Sequence, residues 1–250
     1  MTSLLRIRDV SKAYPDGNGK IVVFENASLD VEAGAHVGVY GKRRSGKSTL
    51  MRIAAGIDRP DTGTVMFDGN DLTHTSGGAL ARLLRTKLAY IAVNDWRPNP
   101  GESVAQHLAV SLGGGGLTVR QAERRVLREL GAVGVSAAHA HSPAAQLSMV
   151  DRTRVMLARA LAREPWLIVI DDPILTPSAS ERDDLYQLLR TASRERGAAL
   201  LVACDDLPAL QGFDVLMSIS ARELCSSEGR ATVLPFPTAP RLDPMRDSGS

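Results

Sequence analysis

The stretch GKRRSGKST, residues 41–49, decides the fold. Gly41, Gly46, Lys47 and Ser48 fit the spacing G-x-x-x-x-G-K-S/T, and the segment lies between an apolar stretch, AHVGVY, and a helix-like stretch, STLMRIAAG. A glycine-rich loop between a strand and a helix directs backbone N–H groups at phosphate oxygens, and the helix N-terminus adds its dipole. The motif therefore predicts a phosphate-binding loop (P-loop).

The side chains of this loop have separate predicted roles. Lys47 is expected to reach the β- and γ-phosphates of a nucleotide, and Ser48 to offer its hydroxyl to Mg²⁺. The successive cations Lys42, Arg43 and Arg44 either add phosphate contacts or are exposed charges, and the sequence leaves this open. Besides Lys47 and Ser48, the loop positions expected to contact the nucleotide are Gly41, Arg43, Arg44, Ser45, Gly46 and Thr49.

A second motif lies in AREPWLIVIDDP, residues 162–173. An apolar strand ends there in Asp171 and Asp172, where a nucleotide hydrolase of this type ends in aspartate and glutamate. Ligands of open α/β sheets bind beyond the carboxyl ends of the strands, so this strand can place Asp171 beside the P-loop. Carboxylate oxygens are preferred ligands of Mg²⁺, and Asp171 is the predicted metal ligand.

The order of elements predicts an α/β fold. Short strands come first, and PDGNGK is typical of a hairpin loop between two of them. Helical periodicity begins at about Gly101, and Thr118 with Gln121 forms a capping pair at a predicted helix start. Strands then alternate with helices, which is typical of a parallel sheet covered on both faces. We expect a P-loop (RecA-like) core with an N-terminal antiparallel β subdomain. The expected domain covers residues 1–236 with a helical subdomain inserted at about 96–148, and 237–250 are expected to form a loosely ordered tail.

Composition excludes several classes of protein. The 250 residues are 44% hydrophobic and 23% charged, and 30 basic against 28 acidic residues give a net charge of +2, so there is no electrostatic case for a nucleic-acid partner. Cys204 and Cys225 fit neither a disulfide framework nor a zinc site, which favours a reducing cytoplasm. No apolar run approaches the ~18 residues of a membrane helix, so we expect another chain to span any membrane where this one works.

Two further segments carry a family resemblance. VSKAYPDG contains Tyr14, and LSMVDRTRVMLARALA covers residues 147–162. With the P-loop, they make the chain from Leu4 to about Phe236 resemble the ATP-binding subunit of an ATP-binding cassette (ABC) transporter. Its segment spacing is similar to that of subunits that pair with separate permeases in lipoprotein-releasing, macrolide-efflux or polysaccharide-export systems.

The resemblance implies ATP and Mg²⁺ as cofactors. It assigns Tyr14 to stacking on adenine, and it places Ser148 at the start of a signature helix that meets the ATP held by a second subunit. It also places Asn94 at the glutamine that senses the γ-phosphate, faces the permease and belongs to the Mg²⁺ site.

The functional positions depart from the family pattern. Asp172 replaces the catalytic glutamate, and Cys204 replaces the switch histidine. We expect Cys204 to be a small buried residue at a strand end. Asp172 is shorter than glutamate by one methylene, and a misplacement of ~1 Å can lower a rate by on the order of 10²-fold. Removing a donor aimed at developing phosphate charge costs ~10² to 10³ in comparable sites. We therefore expect weak or absent hydrolysis at this chain's own site.

The signature segment is also altered, because Met149, Val150 and Asp151 stand where the family has glycine, glycine and glutamine. Ser148 with Asp151 favours a helix start, yet a carboxylate ~8 Å from a γ-phosphate repels each unit of charge by about 2 kcal/mol at an effective dielectric near 20. Ser178 replaces the aspartate of the next loop of the family pattern, and Arg44 replaces a glycine that the family carries within the P-loop.

Three functional hypotheses follow from these observations. The first is the degenerate half of an asymmetric pair, in which a more complete ATPase subunit and a separate permease are the partners. The second is a slow homodimeric ATPase, and the third is a non-transport ABC protein in translation, repair or signalling. The expected location is cytoplasmic and peripheral on the inner face of the cell membrane. Trp96 is either a docking aromatic or core, and His139 and His141 are expected at the surface.

Overall fold

The computed structural model describes residues 3–17, 19–92, 95–112, 118–173, 178–220 and 222–226. Its strands are β1 (Ser3–Asp16), β2 (Gly19–Glu32), β3 (His36–Gly41), β4 (Thr62–Phe67), β5 (Asn70–Asp71), β6 (Leu88–Ala92), β7 (Leu167–Asp171), β8 (Ala199–Cys204), β9 (Val215–Ser220) and β10 (Glu223–Ser226). Its α-helices are α1 (Lys47–Ala54), α2 (Gly77–Thr86), α3 (Val104–Leu112), α4 (Val119–Ala132), α5 (Ala137–Ala140), α6 (Met149–Leu161) and α7 (Ala179–Glu195).

A six-stranded sheet forms the centre of the fold, in the order β10-β9-β3-β8-β7-β6. All neighbouring pairs are parallel except β10 with β9. Tyr40 of β3 pairs with Cys204 of β8, and Asp171 of β7 pairs with Ala203. The predicted parallel sheet is confirmed, and the ends of β3, β7 and β8 lie at one edge.

A second sheet, in the order β2-β1-β4-β5, is antiparallel throughout. The segment PDGNGK covers the end of β1 and the start of β2, which pair antiparallel, so the predicted hairpin and the N-terminal antiparallel sheet are confirmed. Leu5 and Ile7 of β1 share a buried cluster with Val39 of β3 and Leu50 of α1. The antiparallel sheet therefore packs on the face of the central sheet that also carries α1.

Helices cover the opposite face of the central sheet. Ile168 and Ile170 of β7 belong to the cluster that includes α3, α4, α6 and α7, whereas Leu167 and Val169 belong to the cluster with α1. Alternate residues of one strand thus enter different cores, and all four are fully buried. This accounts for the continuous apolar run that predicted a strand covered on both faces.

Helix starts follow the predicted capping chemistry. Thr118 and Gln121 form a capping box at α4, and Ser148 caps α6 by accepting a hydrogen bond from Asp151 N at 3.1 Å. The sequence interpretation missed α2, which begins at Gly77 and has no fully buried residue among its described positions. Glycine disfavours a helix, and the weak burial leaves little periodic signal.

The proposed division of the chain remains a prediction. The segment at about 96–148 contains α3, α4 and α5; α3 and α4 pack on α6 and on each other, and α5 packs on α3 and α4. The expected tail at 237–250 lies outside the described residues. Within the described ranges, no helix combines the length and apolar character that spanning a membrane requires.

Candidate functional site

The loop between β3 and α1 has the backbone of a phosphate cradle. Gly46 has φ +101°, and a Cβ there would collide with the Val23 side chain of β2. A Cβ at Gly41 would collide with Ser45 Oγ. Both glycines of the motif are therefore required by conformation or by close approach. Thr49 follows in the first turn of α1.

Lys47 lies folded against its own loop. Its side chain is buried, and Nζ donates hydrogen bonds to the carbonyl oxygens of Gly41, at 2.6 Å, and Lys42, at 2.9 Å. These bonds hold the ammonium group inside the loop, where a phosphate oxygen can replace a carbonyl as its acceptor. Ser45 Oγ is also buried and has no hydrogen-bond partner among the described residues. The loop thus holds both a positive charge and an unsatisfied hydroxyl.

Ser48 and Asp171 meet across the sheet edge. Ser48 Oγ donates a hydrogen bond to Asp171 Oδ1 at 3.0 Å, although the two residues are 123 positions apart in sequence. Burial raises the pKa of Asp171, and the Ser48 hydrogen bond and the Lys47 charge oppose that shift. A hydroxyl and a half-buried carboxylate together form an oxygen donor pair suited to a hard cation.

Asp172 lies next to this pair in an unusual backbone conformation. Its φ is +45°, in the left-handed region that non-glycine residues rarely adopt, and its N–H donates to Ala203 O at 3.0 Å. Burial and the negative charge of Asp205 raise the pKa of Asp172 to about 6, while Lys47 and Arg43 oppose that shift. The carboxyl group therefore titrates near neutral pH, which suits proton transfer even though the side chain is short.

Cys204 lies at the end of β8 and belongs to the core. Its side chain is buried, and Sγ donates a hydrogen bond to Asp206 O at 3.1 Å. Burial raises the pKa of the thiol to about 11, so it stays protonated at neutral pH. The expectation of a small buried residue is confirmed, and the thiol is occupied by its own turn.

The side chains of Lys42, Arg43 and Arg44 are exposed, so of the two alternatives they are surface charges in this conformation. Arg43 acts electrostatically on Asp172 and thus lies on the carboxylate side of the loop. Arg44 has φ +64°. The glycine that the family carries at this position suits such a conformation, whereas arginine pays a steric cost of roughly 1 kcal/mol.

Tyr14 lies on β1, with 38% of its surface exposed. Its hydroxyl donates to Asp58 Oδ2 at 3.1 Å, and Lys12 Nζ lies 5.3 Å from the ring centre. Tyr14 pairs with Ile21 of β2, two residues before the Val23 that packs on Gly46. The ring is accessible on the same hairpin that supports the P-loop.

The start of α6 is occupied by its own cap. Ser148 Oγ donates to Asp151 Oδ2 at 2.8 Å and accepts from Asp151 N, while Arg154 lies 3.6 Å from the same carboxylate. The Ser148 hydroxyl is thus engaged before any ligand arrives. Ser178 caps α7 by accepting from Glu181 N.

The remaining sequence expectations resolve individually. Asn94 lies outside the described residues. Trp96 is buried, and its Nε1 donates to Ala144 O at 3.3 Å, so of the two alternatives it is core. His139 and His141 are exposed, and no group of potential metal ligands is found in the part of the chain that the structure describes.

Sequence reasoning missed two acidic residues beside the site. The charge of Asp205 raises the pKa of Asp172. The backbone carbonyl of Asp206 accepts a hydrogen bond from the Cys204 thiol. Both come directly after β8, in VACDD. The rule that identified Asp171, an acid at the carboxyl end of a parallel strand, could have found them.

Comparison with known proteins agrees with this geometry. A sequence profile of the ABC transporter family matches residues 24–175. The chain is 30% identical to the lipoprotein-releasing system ATP-binding protein LolD of Idiomarina loihiensis over 217 residues, which cover 86% of this chain and 94% of that protein.

Solved structures show the same fold. The dimeric ATP-binding cassette MJ0796, in a post-hydrolysis state with ADP and Pi, matches with a TM-score of 0.81 and 23% identity over 90% of this chain and all of the other. A nucleotide-free cassette from an ABC transporter matches with a TM-score of 0.74 and 19% identity over 92% of each chain. The predicted P-loop fold is therefore confirmed, and the chain belongs to the ABC transporter family as one of its ATP-binding subunits.

Proposed function

We propose that this chain binds Mg-ATP and couples ATP-driven closure of a subunit pair to a separate membrane permease, as the degenerate half of an asymmetric ATPase. The observation that carries the asymmetric part is Cys204: its thiol is buried and donates to Asp206 O. A residue committed to the core in this way offers no donor to a nucleotide.

ATP fits the residues of the loop. The ammonium group of Lys47 is held by two carbonyl oxygens, and Ser45 Oγ is buried without a partner among the described residues. Phosphate oxygens satisfy both groups, and the exposed ring of Tyr14 offers a stacking surface for the base. Arg43 and Arg44 add positive charge at the mouth of the loop.

Mg²⁺ fits the pair formed by Ser48 and Asp171. Their oxygens lie 3.0 Å apart, and the partly buried carboxylate gains from a cation because burial disfavours its charge. When bound, Mg²⁺ neutralises phosphate charge and orients the terminal phosphate. Asn94 remains a proposed member of this site.

Weak hydrolysis is the second part of the proposal. Asp172 has a pKa suited to proton transfer, but its carboxyl reaches one methylene less far than that of glutamate. Cys204 supplies no donor to the nucleotide, because its buried thiol already donates to Asp206 O. The site is therefore proposed to bind ATP well and to turn it over slowly.

The helix that would complete a partner's site is weakened as well. Ser148 and Asp151 are bonded to each other, so a phosphate would have to displace the carboxylate from the hydroxyl. A homodimer would combine this defect with the defects of Asp172 and Cys204 in both sites. Pairing with a complete subunit would leave each site with one intact half, which is why we favour the asymmetric pair.

The proposed assembly places the chain in the cytoplasm, at the inner face of the membrane, through its contact with the permease. The proposed unit is the domain at 1–236 with its helical subdomain at about 96–148. Purification of the tagged chain from detergent-solubilised membranes tests the assembly. We expect a permease together with a second ATPase subunit. A permease alone would support the slow homodimer, and the absence of any membrane protein would support a non-transport role.

A further inference from the structure

A cavity of about 540 Å³ lies beside α2, away from the residues of the P-loop. Its lining includes the side chains of Arg82 and Arg85, together with Asn70 and Thr75 from the segment around β5. The volume lies within the range of small-molecule sites, ~300 to 1,000 Å³. None of the described residues that line it is acidic.

The cavity is positively charged, because it is lined by two arginines whose guanidinium groups have no partner among the described residues. Arg82 and Arg85 are three residues apart and thus on one face of α2, and both are exposed. Neither side chain has a hydrogen bond or ion pair to any described residue. Arg59 reaches the same rim, where it approaches Thr75 O at 3.5 Å.

The positive charge continues beyond the cavity. Arg163, two residues beyond α6, is half-buried, and its pKa is lowered by burial and by repulsion from Arg159 and Arg85. Cations that repel one another in this way are stabilised by an anion between them. Three residues after Arg163, Trp166 is 44% exposed, with Lys87 Nζ lying 3.7 Å from its ring centre.

The nearby carboxylates are already engaged. Asp68 pairs with Lys87 at 2.9 Å, and Asp71 is 2.9 Å from His74 Nδ1. Within the described residues, neither acid pairs with Arg82 or Arg85. Among the described residues, no acidic side chain therefore balances the charge of these two arginines.

We propose that this cavity is a second anion site, which takes a phosphate-bearing ligand between Arg82, Arg85 and the rim at Arg59. Guanidinium groups bind phosphate through two parallel hydrogen bonds, and two arginines on one helix face can hold one phosphate group in this way. The phosphate can belong to a soluble anion or to a lipid headgroup. This site is independent of the proposed ATPase role.

Binding is measured on the full chain carrying Lys47→Ala, which removes the P-loop as a competing site. Inorganic pyrophosphate is titrated by calorimetry, and co-sedimentation is measured with vesicles of phosphatidylglycerol and of phosphatidylcholine. The double variant Arg82→Gln/Arg85→Gln is compared with Arg120→Gln/Arg124→Gln, which removes the same charge from exposed positions of α4.

We expect the chain to bind pyrophosphate if the ligand is a soluble anion. If the phosphate belongs to a lipid headgroup, we expect binding to phosphatidylglycerol vesicles and not to phosphatidylcholine vesicles. The variant in α2 should weaken it at least ~10-fold, while the variant in α4 changes it by less than about twofold. An equal loss of affinity in both double variants would show that binding depends only on net charge, and it would overturn the proposed site. Absence of binding by both probes would overturn it as well.

Discussion

The P-loop and the ends of β7 and β8 face one edge of the central sheet, yet they differ in what they retain. The loop keeps its two glycines, and Lys47 is already inside the cradle. The strand ends offer a shortened carboxylate and a thiol bonded to its own turn. Binding needs backbone geometry and one charge, whereas hydrolysis also needs side-chain reach and a correctly aimed donor. One edge can therefore keep the first function and lose the second.

Lys47→Ala should have the largest effect, because it removes the positive charge on which ATP binding at the P-loop depends. We expect the affinity for ATP with Mg²⁺ to fall by at least ~100-fold, in line with the loss of charge-assisted hydrogen bonds to phosphate. Calorimetry on the purified chain measures this. Lys42→Ala, at an exposed position of the same loop, is the control and should lower affinity by much less. An intact chain that binds no ATP at millimolar concentration would refute the P-loop assignment.

Asp172→Glu tests the second part of the comparison, hydrolysis, because it restores the methylene by which the aspartate side chain is too short. We expect the isolated chain to turn over far below the ~10 s⁻¹ typical of enzymes, and this variant to raise the rate ~10-fold or more. Steady-state phosphate release is the measurement. Cys204→His should not help on its own, since the larger ring does not fit a buried strand end and overpacking costs typically ~1 to 3 kcal/mol. Wild-type turnover near the typical value would show that the substitutions are compensated.

The pH dependence of stability tests the environment of Asp172. Its pKa of about 6 in the folded chain lies above the ordinary value for aspartate, so the folded state binds more protons between about pH 4 and 6. The contribution of this group to stability is therefore present at low pH and is lost as pH rises through about 6.

Removing the charge should reverse that loss. We expect Asp172→Asn to raise the free energy of unfolding by ~1 kcal/mol at about pH 7.5, a value already reduced for the partial exposure of the side chain. At about pH 4.5 the substitution should have little effect. Urea denaturation at the two pH values checks this. Asp184→Asn, at an exposed position of α7, should show no such difference. A gain of equal size at both pH values would rule out the ionised carboxyl as its cause.

Arg44→Gly should give the smallest effect, because it relieves backbone strain without touching a contact. With φ at +64°, glycine at this position should stabilise the folded chain by roughly 0.5 to 1 kcal/mol. Arg43 has no positive φ, so Arg43→Gly should instead destabilise it through backbone entropy. Denaturation midpoints of the two variants should move in opposite directions. A stability loss in both would show that Arg44 is held by contacts rather than strained.

The sequence predicted those features whose cause is local. The P-loop, the continuous apolar run of β7 and the capping residues of α4 and α6 each leave a pattern in a short stretch. Trp96 is buried in a cluster that includes Ala144, to which it donates a hydrogen bond, and the raised pKa of Asp172 results from burial together with the charge of Asp205. Such properties arise when distant segments meet, so the sequence alone left the first open and missed the second.

The positions at which the chain departs from the family pattern show the same limit of sequence-based prediction. That Arg44 replaces a glycine was visible in the sequence, but its left-handed φ is a property of the folded loop. The replacement at Cys204 was likewise visible, whereas the orientation of its thiol towards Asp206 O was not. A substitution can be read from sequence, and its physical consequence requires the backbone around it.

The asymmetric pair is tested most directly by ATPase rates of the assembled complex with one carboxylate removed at a time. Asp172→Ala in this chain should change turnover by less than about threefold, whereas removing the catalytic carboxylate of the second ATPase subunit should lower it by ~10² or more. If Asp172→Ala is the change that abolishes activity, the chain hydrolyses ATP at its own site and the account is contradicted.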